Sequence, residues 1–431
     1  MLERVLWLYF FVAPWFYLGS LESEFRLALA DLVLPIGILL LLKGRPGRAP
    51  WWLAAGLLIG PLAMLSTIQN VAEPGYLASL LKALRLAGVF IPALLICQAP
   101  LNEEMVKRLA GAFAWGGLIS VAIGIAGFVL GWEWTRAVQT FDYGEGRLTG
   151  RAGGVFRDSG AYGHMVATWM AFYFAFAWPR VRHWRWASAA AVLGIGAVAI
   201  YVSMSRAAVL NVLVMAAAQS VALLRRGVRL RYVAASLALV LLVAGFFHLS
   251  GTLDAGLGWE NKGLRIIAGR FATIANGLTA DPDQINAFTG NRLRSWGTCF
   301  DLWLEHPLAG VGYKAAVAHF GVFPDNVYMM SLLEMGAVGF LLVLSLFLGF
   351  WIWALRRAAA GSETALMVSV AWAGQLAHGL TADTLTFPAS MSLAIAFAAL
   401  AWRLSAARYS RAATSYSTTR GMVNLTVRPC C

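Results

Sequence analysis

Apolar runs of membrane-crossing length recur along almost the whole of this chain, and that pattern leaves few folds open. Of its 431 residues 60% are hydrophobic and only 13% are charged, with a mean hydropathy of +0.68. A water-soluble domain has too little interior to hide that much apolar surface, so the composition predicts a polytopic membrane protein. Lipid offers backbone N–H and C=O groups no water, so each crossing is expected to be a helix. The fold class read from the sequence is therefore all-α, with about twelve transmembrane helices. They fall roughly at 5–20, 27–42, 51–69, 79–97, 108–131, 161–178, 186–203, 205–223, 232–249, 328–354, 364–380 and 386–403. One large loop, 250–327, precedes the tenth.

Basic residues set the orientation. One set of alternate loops carries Lys43, Arg45 and Arg48, then Lys107 and Arg108, then Arg180, Arg182 and Arg185. Further along the same set lie Arg225, Arg226, Arg229, Arg231, Arg356 and Arg357. With Arg4 and the tail arginines these make 20 of the 34 basic residues, so both termini are expected in the cytoplasm. The net charge of +13 then reads as the positive-inside bias, and no aromatic-rich basic module points to nucleic acid. Residues 1–404 form one membrane domain in this reading, and the Ser-, Thr- and Arg-rich stretch 405–431 a disordered cytoplasmic tail. No small-residue cleavage site follows the first span, which reads as a retained anchor. Cys299 stands alone outside the lipid, so no structural disulfide is expected there.

Three segments on the side opposite the basic loops break the apolar pattern: 132–160, the tight turn 203–206, and 250–327. Loops as long as the last are usually functional. Arg206 sits where two helices meet with almost no loop between them. It either snorkels to phospholipid headgroups or presents a planar fork to a diphosphate, a ligand that arginine grips bidentately. Arg292 and Arg294 open an expected loop helix near 292–305, two positions apart and so on different faces. Arg151 lies among Gly150, Gly153 and Gly154, whose backbone can approach an anion closely or simply turn. Arg85 and Lys82 extend the same basic surface or anchor it at the interface.

Asp325 directly precedes Asn326 at the foot of the tenth span. It either caps that helix or, as a carboxylate beside arginines, orients an acceptor hydroxyl. His319 is the other titratable candidate within reach, and Glu334 sits one step deeper, where a carboxylate needs a partner. His164, His183, His248 and His378 are scattered singly without metal-ligand spacing. No phosphate-binding Gly-Lys-Ser loop or nucleotide fold occurs, so neither a metal nor any other cofactor is expected.

Taken in order, several of these segments resemble the O-antigen ligase and O-antigen polymerase superfamily of bacterial envelope glycosyltransferases. The resemblance rests on Arg151–Phe156, the Ser203–Arg206 turn, and Arg292 with Trp296. It continues through His306-Pro307-Leu308-Ala309-Gly310-Val311-Gly312, Asn326-Val327-Tyr328 and Glu334-Met335-Gly336, covering roughly 150–345. It implies metal-independent transfer of a glycan from a polyprenyl diphosphate carrier, on the periplasmic face of the bacterial inner membrane. Arg206 and Arg292 would hold the donor diphosphate, with Arg151, Arg294, Arg85, Asn326 and His319 around the substrates. Members usually place a histidine before the asparagine; Asp325 stands there in this chain. That departure favours a polysaccharide polymerase over a ligase acting on lipid A core. Donor, acceptor, bilayer and envelope assembly proteins are the expected partners, and nucleic acid is not. A twelve-span transporter or flippase is the reading from another class, disfavoured because the charges gather at one face and the halves look dissimilar.

Overall fold

The computed structural model describes residues 1–419 except 15–16, 19–26, 45–46, 74, 141–145, 157, 226–291 and 323. Its helices, in chain order, are α1 (Leu2–Val12), α2 (Leu34–Lys43), α3 (Trp51–Leu57), α4 (Ile59–Ile68) and α5 (Tyr76–Gly88). Then come α6 (Ile91–Gln98), α7 (Glu103–Val129), α8 (Ser159–Phe172), α9 (Arg185–Ser203) and α10 (Arg206–Arg225). The chain continues with α11 (Arg292–Glu305), α12 (Ala315–Phe320), α13 (Val327–Ala359), α14 (Glu363–Gly379) and α15 (Pro388–Thr419). Two small antiparallel pairs interrupt the helical pattern: β1 (Tyr17–Leu18) with β2 (Leu27–Ala28), and β3 (Arg136–Thr140) with β4 (Gly146–Ala152).

Among the described residues, six helical stretches are long and apolar enough to cross a membrane: Trp51–Ile68, Tyr76–Gln98, Glu103–Val129, Arg185–Ser203, Val327–Ala359 and Pro388–Ser405. The chain is thus helical and polytopic. Of the other expected crossings, 205–223 and 364–380 coincide with α10 and α14, the helices within 5–20 and 27–42 are the short α1 and α2, 161–178 is broken, and 232–249 lies outside the described residues. Local chemistry explains the breaks. Pro92 sits in the first turn of α6 and cannot continue α5 through it. Pro179 likewise ends the α8 run, which loosens into a π turn at Tyr173–Ala177 and a 3-10 turn at Trp178–Arg180. By contrast α7 runs uninterrupted for 27 residues, opened by Asn102 accepting the Met105 N–H at 2.7 Å and by Glu103 and Glu104 in its first turn.

The central element is α15, whose residues 393–401 are all fully buried. Phe397 packs edge-on to Phe10 and Phe113 and stacks on Phe172, so one ring joins α1, α7 and α8 to the central helix. Past position 404, where composition ends the membrane domain, α15 continues to Thr419. A second, smaller core of Cys299, Val311, Ala315, Ala316, Val322 and Leu333 seats the end of the large loop on α13. Cys97 and Cys299 are both free and buried.

Candidate functional site

Hydrogen bonds between helices fix which ends lie level. His164 Nδ1 meets Ser390 Oγ at 2.6 Å, Asn211 Nδ2 donates to His378 Nδ1 at 3.3 Å, and Tyr328 OH donates to the Leu376 carbonyl at 3.3 Å. The starts of α8, α10, α13 and α15 therefore share one face with the end of α14. Four helix N-termini there carry partial positive charge, which favours an anion.

The Ser203–Arg206 turn is built by its own side chains. Met204 adopts the left-handed conformation at φ 53°, Ser203 Oγ accepts the Ser205 N–H at 3.2 Å, and Ser205 Oγ accepts the Ala208 N–H at 3.3 Å. The second bond caps α10, whose first residue is Arg206, half-buried at the mouth. Gly163 lets α8 approach this turn, because a Cβ there would stand 2.7 Å from the Ser205 Cβ. Across the turn, Arg151 Nη2 donates to the Met204 carbonyl at 3.2 Å. Loop 132–160 and the α9–α10 turn, remote in sequence, thus place two arginines on one short segment of backbone.

Asp325 is exposed and left-handed at φ 44°, a conformation uncommon outside glycine, asparagine and aspartate. The helix cap beside it is Asn326, 4% exposed, whose Oδ1 accepts the Tyr328 N–H at 2.8 Å and the Met329 N–H at 3.1 Å. Trp296 Nε1 donates to the Pro324 carbonyl at 2.9 Å and ties α11 to the approach to Asp325. Position 292 opens α11 one turn before Trp296, on the same helix face. The side chains of Arg292 and Arg294 lie outside the described residues. His319 faces Glu73, its Nδ1 3.7 Å from Oε2.

The His306–Gly312 motif has a structural task. Gly336 breaks α13 at φ 67°, ψ −171°, a region essentially reserved for glycine. The break exposes backbone groups that the loop before it satisfies. The Val311 N–H donates to Leu333 O at 2.8 Å, the Gly312 N–H donates to Glu334 O at 3.1 Å, and the Ala337 N–H donates to Pro307 O at 2.8 Å. A Cβ on Gly336 would stand 2.1 Å from Leu308 O, and one on Gly310 2.5 Å from the Glu334 carbonyl carbon. The end of α4 clamps the same loop, with Gln69 Nε2 donating to Gly310 O at 2.7 Å and Asn70 Nδ2 to Val311 O at 2.9 Å.

Two further groups have no counterpart in the sequence reading. Lys314 Nζ pairs with Asp383 Oδ2 at 2.9 Å, joining the large loop to the α14–α15 connection. Burial opposes the Lys314 charge most strongly, but the Asp383 carboxylate, Tyr313 and Glu334 together outweigh it and hold the ammonium above its ordinary pKa. Beneath the arginine turn, the rings of His164 and His378 pack 4.6 Å apart. Gln375 joins them, its amide oxygen against His164 Nε2 and its Nε2 donating to Thr168 Oγ1 at 3.0 Å. Two polar residues in each of two apolar spans, His164 with Thr168 and Gln375 with His378, were the available signal, though scattered histidines do not announce that they meet. Arg85 is placed apart from the Arg151–Met204 contact, its Nη2 2.7 Å from Asp31 Oδ2 in a cleft also lined by Tyr9 and Ser392.

Among the described residues no group of three or more His, Cys, Asp or Glu is placed to hold a metal ion. Residues 189–344 match the family described as O-antigen ligase. That segment contains the Arg206 turn, α11, the Gly336 lock and Asp325; Arg85, Arg151 and Asp383 lie outside it. No curated protein matches the chain.

Proposed function

From the match of residues 189–344 to the family described as O-antigen ligase, we propose that this chain moves a glycan from a polyprenyl diphosphate carrier to an acceptor sugar hydroxyl at the face bearing Arg206. The observation that carries this reading is the Arg151 contact to the Met204 carbonyl, which brings its guanidinium to the turn that ends at Arg206, the start of α10. As the bond from sugar C1 to the diphosphate breaks, negative charge grows on the leaving diphosphate. Fixed arginines at helix N-termini, in a region of reduced water, stabilise that charge more strongly than bulk solvent would. In this account Arg206 and Arg292 hold the diphosphate and Arg151 steadies the turn and adds charge. Asp325 orients or deprotonates the acceptor hydroxyl, with Arg294, Asn326 and His319 at the edge of the site. Attack from the side opposite the diphosphate inverts the anomeric carbon.

The acceptor we favour is a growing polysaccharide, which makes the protein a polymerase; transfer to lipid A core, the ligase reaction, is the second reading. Carrier-linked repeat units supplied to the purified protein separate the two. A ladder of products on a sizing gel supports polymerisation. A single shift that requires lipid A core supports ligation, and binding without turnover contradicts both. The donor's lipid tail enters sideways from the bilayer, and the site faces the periplasm of an inner-membrane protein with both termini in the cytoplasm.

A further inference from the structure

The segment 178–186 combines backbone strain, exposed aromatics and unneutralised charge at the far end of α8 from the arginine mouth. Trp184 is held left-handed at φ 57°, a conformation that strains a bulky residue, and 83% of its surface is exposed. Trp186 is 74% exposed. Exposing two indoles to water is unfavourable. The segment is nevertheless built: Trp178 Nε1 donates to the Arg185 carbonyl at 3.2 Å, and the Arg185 guanidinium lies 3.9 Å over the Trp178 ring. Trp186 meets that ring edge-on at 5.7 Å. Arg180 is spoken for by Glu103 at 2.7 Å, whereas Arg182 and His183 are exposed.

The position narrows the partner. A candidate membrane span begins at Arg185, so these rings stand at the boundary between hydrocarbon and water. Indoles favour that depth, and guanidinium groups there meet phosphates. The opposite face also carries a stacked tryptophan pair, Trp132 and Trp134, but with Glu133 between them instead of arginines. We infer that segment 178–186 is a binding site for anionic phospholipid headgroups of the phosphatidylglycerol type, with Trp184 and Trp186 set into the acyl boundary and Arg182 on the phosphate. The inference does not depend on the glycan-transfer reading.

The test uses the full chain, delipidated in detergent and offered equal phosphatidylglycerol and phosphatidylcholine, with bound lipid counted by native mass spectrometry. The unsubstituted protein should prefer phosphatidylglycerol, and Arg182→Gln should lower that preference about fivefold. Arg136→Gln, near the Trp132–Trp134 pair, should leave it unchanged. Trp184→Gly should raise the melting temperature by relieving strain while weakening retention of both lipids. An unchanged preference in Arg182→Gln, an equal loss in Arg136→Gln, or a lower melting temperature in Trp184→Gly each overturns the proposal.

Discussion

Asn326 caps α13 with its side-chain oxygen, so the carboxylate of the neighbouring Asp325 is not the group that starts that helix. The two residues therefore separate under substitution. Asn326→Ala should cost about 1 kcal/mol of stability, read as a lower melting temperature. Asp325→Asn should leave the melting temperature unchanged yet slow transfer by about 10²–10⁴, the usual loss when a positioned base is removed. Asp325→His should restore part of the rate. A fully active Asn variant would remove Asp325 from the account and turn attention to His319. From sequence, capping and catalysis competed for Asp325, because position before a helix suits both. Hydropathy and spacing do not say which of two adjacent Asx residues turns its oxygen toward the helix. Arg206 was easier to single out, since a cation between two adjoining apolar spans has few places to go.

At the scale of elements, the lock between the His306–Gly312 loop and the broken α13 is the feature that most constrains the site. It ties the loop before α13 to the helix through three backbone hydrogen bonds, at Leu333, Glu334 and Ala337. Gly336→Ala should cost about 1–3 kcal/mol in backbone strain alone, before the clash with Leu308 O, and should lower the folded yield sharply. An alanine variant that melts like the parent would contradict the lock. The sequence shows the glycines and the proline but not the break, because a glycine inside a long apolar run costs hydropathy nothing. The Lys314–Asp383 pair belongs to the same scale. Lys314 has a raised folded pKa, so its contribution is present below the ordinary lysine value of 10.5 and fades only as pH climbs through the folded value. Stability should therefore be insensitive to this pair through neutral pH. Asp383→Asn should lower the melting temperature by the equivalent of about 2 kcal/mol, and adding Lys314→Met should recover part of it. Full additivity in that double-mutant cycle would mean the pair is not coupled. Their separation of 69 residues leaves no periodic trace in the chain.

Across the whole molecule, composition sufficed for class: a helical, polytopic membrane protein. The number of crossings did not follow as directly. Pro179 ends the α8 run early, whereas the breaks at Pro92 and Gly336 fall inside stretches still long enough to cross. The β3–β4 hairpin, a small departure from an all-α fold, likewise hides in a loop too polar to read as a strand. The polar layer of His164, Gln375 and His378 was invisible because α8 and α14, which supply it, are far apart in the chain, His164 and Gln375 by 211 residues, and only packing brings them level. What links these features is one proposal: helix N-termini and arginines at a single mouth hold a diphosphate while a glycan leaves it. The measurement closest to that claim is donor turnover by purified Arg206→Ala and Arg206→Lys proteins that retain the parent's melting temperature. The account predicts that alanine abolishes transfer and that lysine, lacking the bidentate fork, remains poor. Near-parental turnover by the alanine protein would contradict it.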